Sequence, residues 1–205
     1  VPGAPGGWAA LNQRFGKLSL SEDLAPAIAL ADNGFAVNTK VSFLWWRDGI
    51  RLFVDSGCTG GMYQHIFDTF TKDGKCPAPG DIVRLPDHAR TLREIGETKA
   101  ESFYRGELAR KIDDFMCSIG EENGSFLRGS DLAAFQPEWV EPISVNYKGY
   151  DVHEIPPNGH GIVALMALNI LKKLDLDEPR ESADTYHKMI EAIKLAFVDG
   201  QKYIT

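Results

Sequence analysis

Residues 143–161 read ISVNYKGYDVHEIPPNGHG. Ile143, Val145 and Tyr147 alternate with polar neighbours, Lys148-Gly149 is a two-residue turn signal, and Tyr150, Val152 and Ile155 resume the apolar series. Period-two alternation on both sides of a glycine turn predicts a β-hairpin. Pro156-Pro157 then stops the second strand, and Asn158-Gly159-His160-Gly161 opens into the apolar run IVALMALNIL. A strand, a glycine loop and a helix in that order often turn backbone N–H groups toward a ligand. The same loop is equally compatible with plain punctuation between two elements.

Downstream of the hairpin the period changes. Gly161–Lys173 is apolar nearly all round, which predicts a buried helix. A second helix is expected over Ser182–Asp199, where Ala183, Tyr186, Ile190, Ile193 and Phe197 form an apolar stripe.

Upstream, the helical period also dominates. Trp8, Leu11 and Phe15 share one face of a segment that ends at Gly16. Ser19 and Glu22 form an S-x-x-E capping box before DLAPAIALADNG, whose Pro26 is expected within the early turns. Further helices are expected over Leu85–Ile95, with Ala89, Leu92 and Ile95 inward, and over Glu107–Ile119, with Leu108, Ile112, Phe115 and Ile119 inward. Ser130-Asp131 is read as the cap of a short turn ending at Phe135. Residues 35–85 are the least regular part and carry Trp45-Trp46 and the glycine cluster Gly57, Gly60 and Gly61. The expected fold class is α+β, mainly helical with one late hairpin, with residues 1–205 forming one large domain or part of a larger one.

A formal net charge of −7 and the lack of a basic stripe exclude nucleic acid as the main partner. No apolar run reaches the length of a bilayer span, so no membrane partner is expected. Cys58, Cys76 and Cys117 are odd in number and widely spaced, which argues against a disulfide framework or a cysteine cage for zinc. Three free thiols without a visible leader lean toward the cytoplasm, while a periplasmic or secreted parent stays open.

Chemistry-bearing residues are sparse. His153 and His160 flank the double proline, but no pair of histidines or carboxylates has the i, i+4 spacing of a helical zinc motif, so no metal site is expected. The run SGCTGG at 56–61 lacks the G-x-S-x-G elbow of a serine nucleophile. Asp113-Asp114 and Glu121-Glu122 fall where solvated helix ends put carboxylates. The strongest site on residues alone is Asn158, Gly159, His160 and Gly161, where two glycines before a helix allow an anion to approach the backbone. It lacks the Walker lysine and the longer dinucleotide glycine pattern.

The order of the motifs carries more information than any one of them. VPG at the start, RFG, LAPAIALADNGF, PGD followed by LPDHARTL, FYRGELA, SDLAAF, PISVNYKGYDVHEIPPNGHG, ALNIL and EAIKLAFVD with Tyr203 follow in succession. This succession resembles the γ-glutamyltransferase family, including its acylase-like members, from Val1 to Tyr203. The resemblance implies an N-terminal nucleophile hydrolase with an αββα sandwich, made as a proenzyme that cuts itself into a large and a small subunit. It further implies that the new N-terminal threonine of the small subunit attacks a γ-glutamyl or other amide carbonyl, with its own α-amine as base and no metal or organic cofactor.

None of those groups maps onto this sequence. Val1 has no hydroxyl, and the amine of Thr205 is tied into a peptide bond. The resemblance places the catalytic threonine beyond Tyr203 and the substrate-binding arginine ahead of VPG. The resemblance therefore implies that residues 1–205 are a single incomplete domain, the C-terminal portion of a large subunit, with no catalytic residue of its own and the rest of the proenzyme as its partner. In that reading Asn158–Gly161 lines the edge of the parent's cleft, and Gly159→Val is expected to harm folding or subunit association more than anion binding. The rival expectation is a stand-alone module, without catalysis, that captures a small anion on the same loop.

Overall fold

The computed structural model describes residues 1–176 and 179–204; the expectation for Thr205 lies outside the described residues. The chain divides into two compact units, Val1–Pro137 and Glu138–Thr205.

The first unit is helical. It opens with α1 (Ala4–Phe15) and α2 (Leu20–Asn33), the latter begun by the expected capping box: the Glu22 N–H donates to Ser19 Oγ and the Glu22 carboxylate accepts from the Ser19 N–H. The Ser19 hydroxyl, donating to the Glu22 carboxylate at 2.6 Å, and then the Ser19 N–H hold that carboxyl below its ordinary value. Pro26 is the seventh residue of α2. It lies in the second turn, within the early turns as expected, but past the free N–H groups of the helix start, so its missing N–H does remove a helical hydrogen bond.

Strand β1 (Phe35–Ala36) follows, then α3 (Thr39–Leu44), a turn of π-helix over Trp45–Ile50, α4 (Arg51–Asp55) and α5 (Gln64–Phe70). Strand β2 (Ile82–Val83) pairs antiparallel with β1, setting Phe35 opposite Val83. Helices α6 (Pro86–Thr98), α7 (Glu101–Arg105), α8 (Glu107–Ile119) and α9 (Gly129–Ala134) complete the unit. As expected, Ala89, Leu92 and Ile95 of α6 are buried. On α8, Leu108 is buried but Phe115 is exposed. In α9, Asp131 lies inside the first turn and accepts from the Arg128 N–H at 2.9 Å, so the cap is Arg128, two residues before the predicted Ser130.

The core of this unit joins Leu20, Ile95, Ala100, Tyr104, Leu108, Ala109 and Leu132. Three of the motifs meet at Tyr104. Its hydroxyl accepts from the Gly6 N–H at 3.0 Å and donates to the Pro2 carbonyl at 2.8 Å, and its ring stacks on Phe135 at 4.9 Å. A side chain at Gly6 would strike both rings, since a Cβ there would lie 3.0 Å from Phe135 and 3.2 Å from the Tyr104 hydroxyl. The neighbouring Ser102 hydroxyl bonds the Glu94 carboxylate and accepts from the Leu108 N–H at 3.2 Å, which anchors the first turn of α8. At the other end, Asp113 of α8 accepts from the Gly129 N–H at 2.7 Å and ties α9 to it.

The second unit contains the expected hairpin. Strands β3 (Ile143–Tyr147) and β4 (Tyr150–Glu154) pair antiparallel with Tyr147 opposite Tyr150 and Val145 opposite Val152. Lys148 and Gly149 both take positive φ, 50° and 89°, which is the mirror-image turn that matches strand twist. Ile155 falls beyond the strand and is exposed, because the double proline ends the ladder first.

Helix α10 (Gly161–Leu171) and helix α11 (Ala183–Tyr203) then pack on each other. Their contact is made by Val163 and Ala167 of α10 with Ala196 of α11, and Val145 of β3 is also buried. The predicted stripe on α11 is on the wrong side. Thr185, Ala192, Ala196 and Gly200 are buried, whereas Tyr186, Ile190, Ile193 and Phe197 are exposed. Small residues let the two helix axes approach, so the bulky series turns outward. No helix of the described residues is long and apolar enough to cross a membrane.

Candidate functional site: the strand-to-helix loop

Asn158, Gly159 and His160 are exposed at the junction of β4 and α10, and Gly161 is half-buried as the first residue of α10. The loop is held by its backbone: the Val163 N–H donates to the His160 carbonyl at 3.0 Å. No side chain caps α10.

The two glycines are not equivalent. A Cβ at Gly159 would meet nothing within 4 Å, so the space requirement expected there is absent. A Cβ at Gly161 would lie 2.3 Å from Glu154 Oε2 and 3.0 Å from Glu154 Cβ. Glu154, the last residue of β4, thus folds its carboxylate over the start of α10. That negative charge at a helix N-terminus is favourable, and it stands where the anion reading needs an open approach.

On its other side the loop faces the end of α11. His160 Nδ1 comes within 3.9 Å of the place a Cβ would take on Gly200, while Val163 Cγ2 comes within 2.6 Å. A residue larger than glycine at 200 would crowd Val163, so α10 or the Val163 side chain must shift, while its distance to His160 is ordinary contact. His153 and His160 are both exposed, and among the described residues no group of three histidine, cysteine or carboxylate side chains is placed to hold a metal ion.

The structure therefore brings Gly161, His160, Glu154 and Gly200 together and leaves Asn158 and Gly159 in solvent. Glu154 and Gly200 were missed in the sequence. The only signal for Gly200 was the small-residue spacing Ala192, Ala196, Gly200; Glu154 gave none, because a glutamate ending a strand reads as a solvated face.

The gamma-glutamyltranspeptidase family pattern matches residues 1–205. The chain is 34% identical to the glutathione hydrolase-like YwrD proenzyme of Bacillus subtilis (strain 168), over all of this chain and 37% of that protein. Among solved structures it is similar to a cephalosporin acylase from Bacillus halodurans, at 49% identity and a TM-score of 0.90, covering all of this chain and 37% of that one. It is also similar to the Helicobacter pylori gamma-glutamyltranspeptidase, at 28% identity and a TM-score of 0.84, covering all of this chain and 56% of that one. The chain thus spans about a third of the length of the curated relatives it matches.

Proposed function

This chain belongs to the gamma-glutamyltranspeptidase family, and from that premise we propose that it serves as the supporting part of the large subunit of an amide hydrolase or acyltransferase proenzyme. The single observation behind the proposal is that 97–100% of the chain aligns to only about a third of these curated relatives, each described as a proenzyme. The nucleophile in this reading is a threonine supplied by the remainder of the proenzyme. Its hydroxyl oxygen bonds to the acyl carbon, the amine leaves with the proton, and water or an acceptor amine then releases the acyl group from the ester. The substrate is a γ-glutamyl compound or a related acyl amide, in keeping with the glutathione hydrolase and acylase names of the relatives.

Two features of the structure support a supporting role. Tyr186, Ile190, Ile193 and Phe197 give α11 an uncovered apolar face, and Trp8, Leu11 and Phe15 do the same for α1. Contiguous exposed apolar faces of this kind mark surfaces meant to be covered, here by the remainder of the proenzyme, which would complete a single domain. The loop Asn158–Gly161 lines the rim of the cleft and does no chemistry. It lies beside the last turn of α11, the element after which the family resemblance puts the threonine segment.

The test is a release assay with a γ-glutamyl anilide, run on the chain alone and on the chain joined to both remaining parts of a relative, the segment ahead of VPG and the threonine-led segment. The proposal expects no release by the chain alone and self-cleavage followed by release in the joined protein. Release by the chain alone would overturn it.

A further inference from the structure

The strongest unassigned chemistry lies in Val1–Pro137, in a cavity of about 620 Å³ lined by Trp45, the end of α5, the Lys72–Lys75 turn and β2. That volume falls within the roughly 300–1,000 Å³ of small-molecule sites. Part of the wall is aromatic, with Trp45 and Phe70 meeting edge to face at 5.5 Å between ring centroids. Trp45 begins the π-helical turn Trp45–Ile50, a rare conformation that occurs often at functional sites. Ile82 and the half-buried Cys76, whose thiol burial pushes up and so keeps protonated, extend the apolar lining.

The lining also carries Lys72, Lys75 and Arg84 against Asp68, Asp73 and Asp81. Two of these carboxylates are already engaged, Asp68 accepting from the Gln64 amide at 2.7 Å and Asp81 from the Ala78 N–H at 2.8 Å. Arg84 is in the opposite condition. Val1–Pro137 has nine arginines; seven pair with carboxylates and Arg14 lies over the Phe15 ring. Among the nine arginines of Val1–Pro137, Arg84 alone has neither kind of partner.

We propose that this cavity binds small amphipathic carboxylates, with Trp45 and Phe70 holding the apolar body and Arg84 the carboxylate. The planar guanidinium offers two parallel donors to a carboxylate, which an ammonium does not. Lys72 and Lys75 add attraction for the same charge, and Asp73 disfavours it, so affinity depends on the Arg84 contact. The site is independent of the amide-hydrolase reading and stands or falls without it.

The test titrates the 205-residue chain with naphthylacetate, naphthylethanol and naphthylethylamine by calorimetry, and maps amide resonances during the first titration. Naphthylacetate should bind about tenfold more tightly than the other two, as a charge-assisted hydrogen bond allows. Its shifts should centre on residues 69–76 and 82–84. Arg84→Gln, at an exposed side chain, should keep the melting temperature and lose about tenfold in affinity, while Arg84→Lys recovers only part of it. Equal binding of the three probes, wild-type affinity in Arg84→Gln, shifts centred elsewhere, or no saturable binding at millimolar concentration would each overturn the proposal.

Discussion

Tyr104 shows how one side chain can join motifs that lie far apart in the chain. Removing its hydroxyl in Tyr104→Phe leaves the Gly6 N–H without its acceptor in a buried place, which should cost about 1–3 kcal/mol in urea unfolding. Burial also pushes the phenol above its ordinary range. The folded value then exceeds the unfolded one near 10, so the stability is fully present below about pH 10 and is lost as pH rises through the folded value. Tyr104→Phe should flatten that alkaline loss, as followed by circular dichroism. The same scale separates the loop glycines. Gly159→Val should change stability by less than about 0.5 kcal/mol, whereas Gly161→Ala must displace Glu154 and should lower the melting temperature measurably. Residue types alone could not tell these apart: both glycines lie at the start of a helix, and only the direction taken by Glu154 gives one of them a close neighbour.

At the level of elements, legibility follows how local the cause is. The hairpin was readable because its alternation and its turn are both short-range signals, and Gly149 at φ 89° is the residue such a turn requires. Gly149→Ala should therefore cost about 1–2 kcal/mol, the penalty of a left-handed backbone with a Cβ. The capping box of α2 and the inward face of α6 were readable for the same reason. Helix α11 was not. Its apolar stripe has the correct period, but the packed face is the small-residue one, because a close partner helix rewards short side chains. Gly200→Ala tests that account directly: a Cβ 2.6 Å from Val163 Cγ2 should cost about 1–3 kcal/mol of overpacking. The pairing of β1 with β2 was equally hidden, since two-residue strands carry no period at all.

For the whole molecule, the family was legible from motif order, while the site was legible only as a loop whose partners, Glu154 and Gly200, come from other elements. The described chain holds two two-stranded sheets with unpaired edges and several exposed apolar faces. Unpaired edges and such faces favour association, so light scattering of the isolated chain should report assemblies larger than a monomer that the rest of the proenzyme suppresses. The central claim is that this segment supports a threonine site built elsewhere. Its most direct measurement is γ-glutamyl anilide release by the purified chain before and after joining to the segment ahead of VPG and the threonine-led segment of a relative. The account predicts no release before joining, and self-cleavage with release after it; release by the isolated chain would contradict the account.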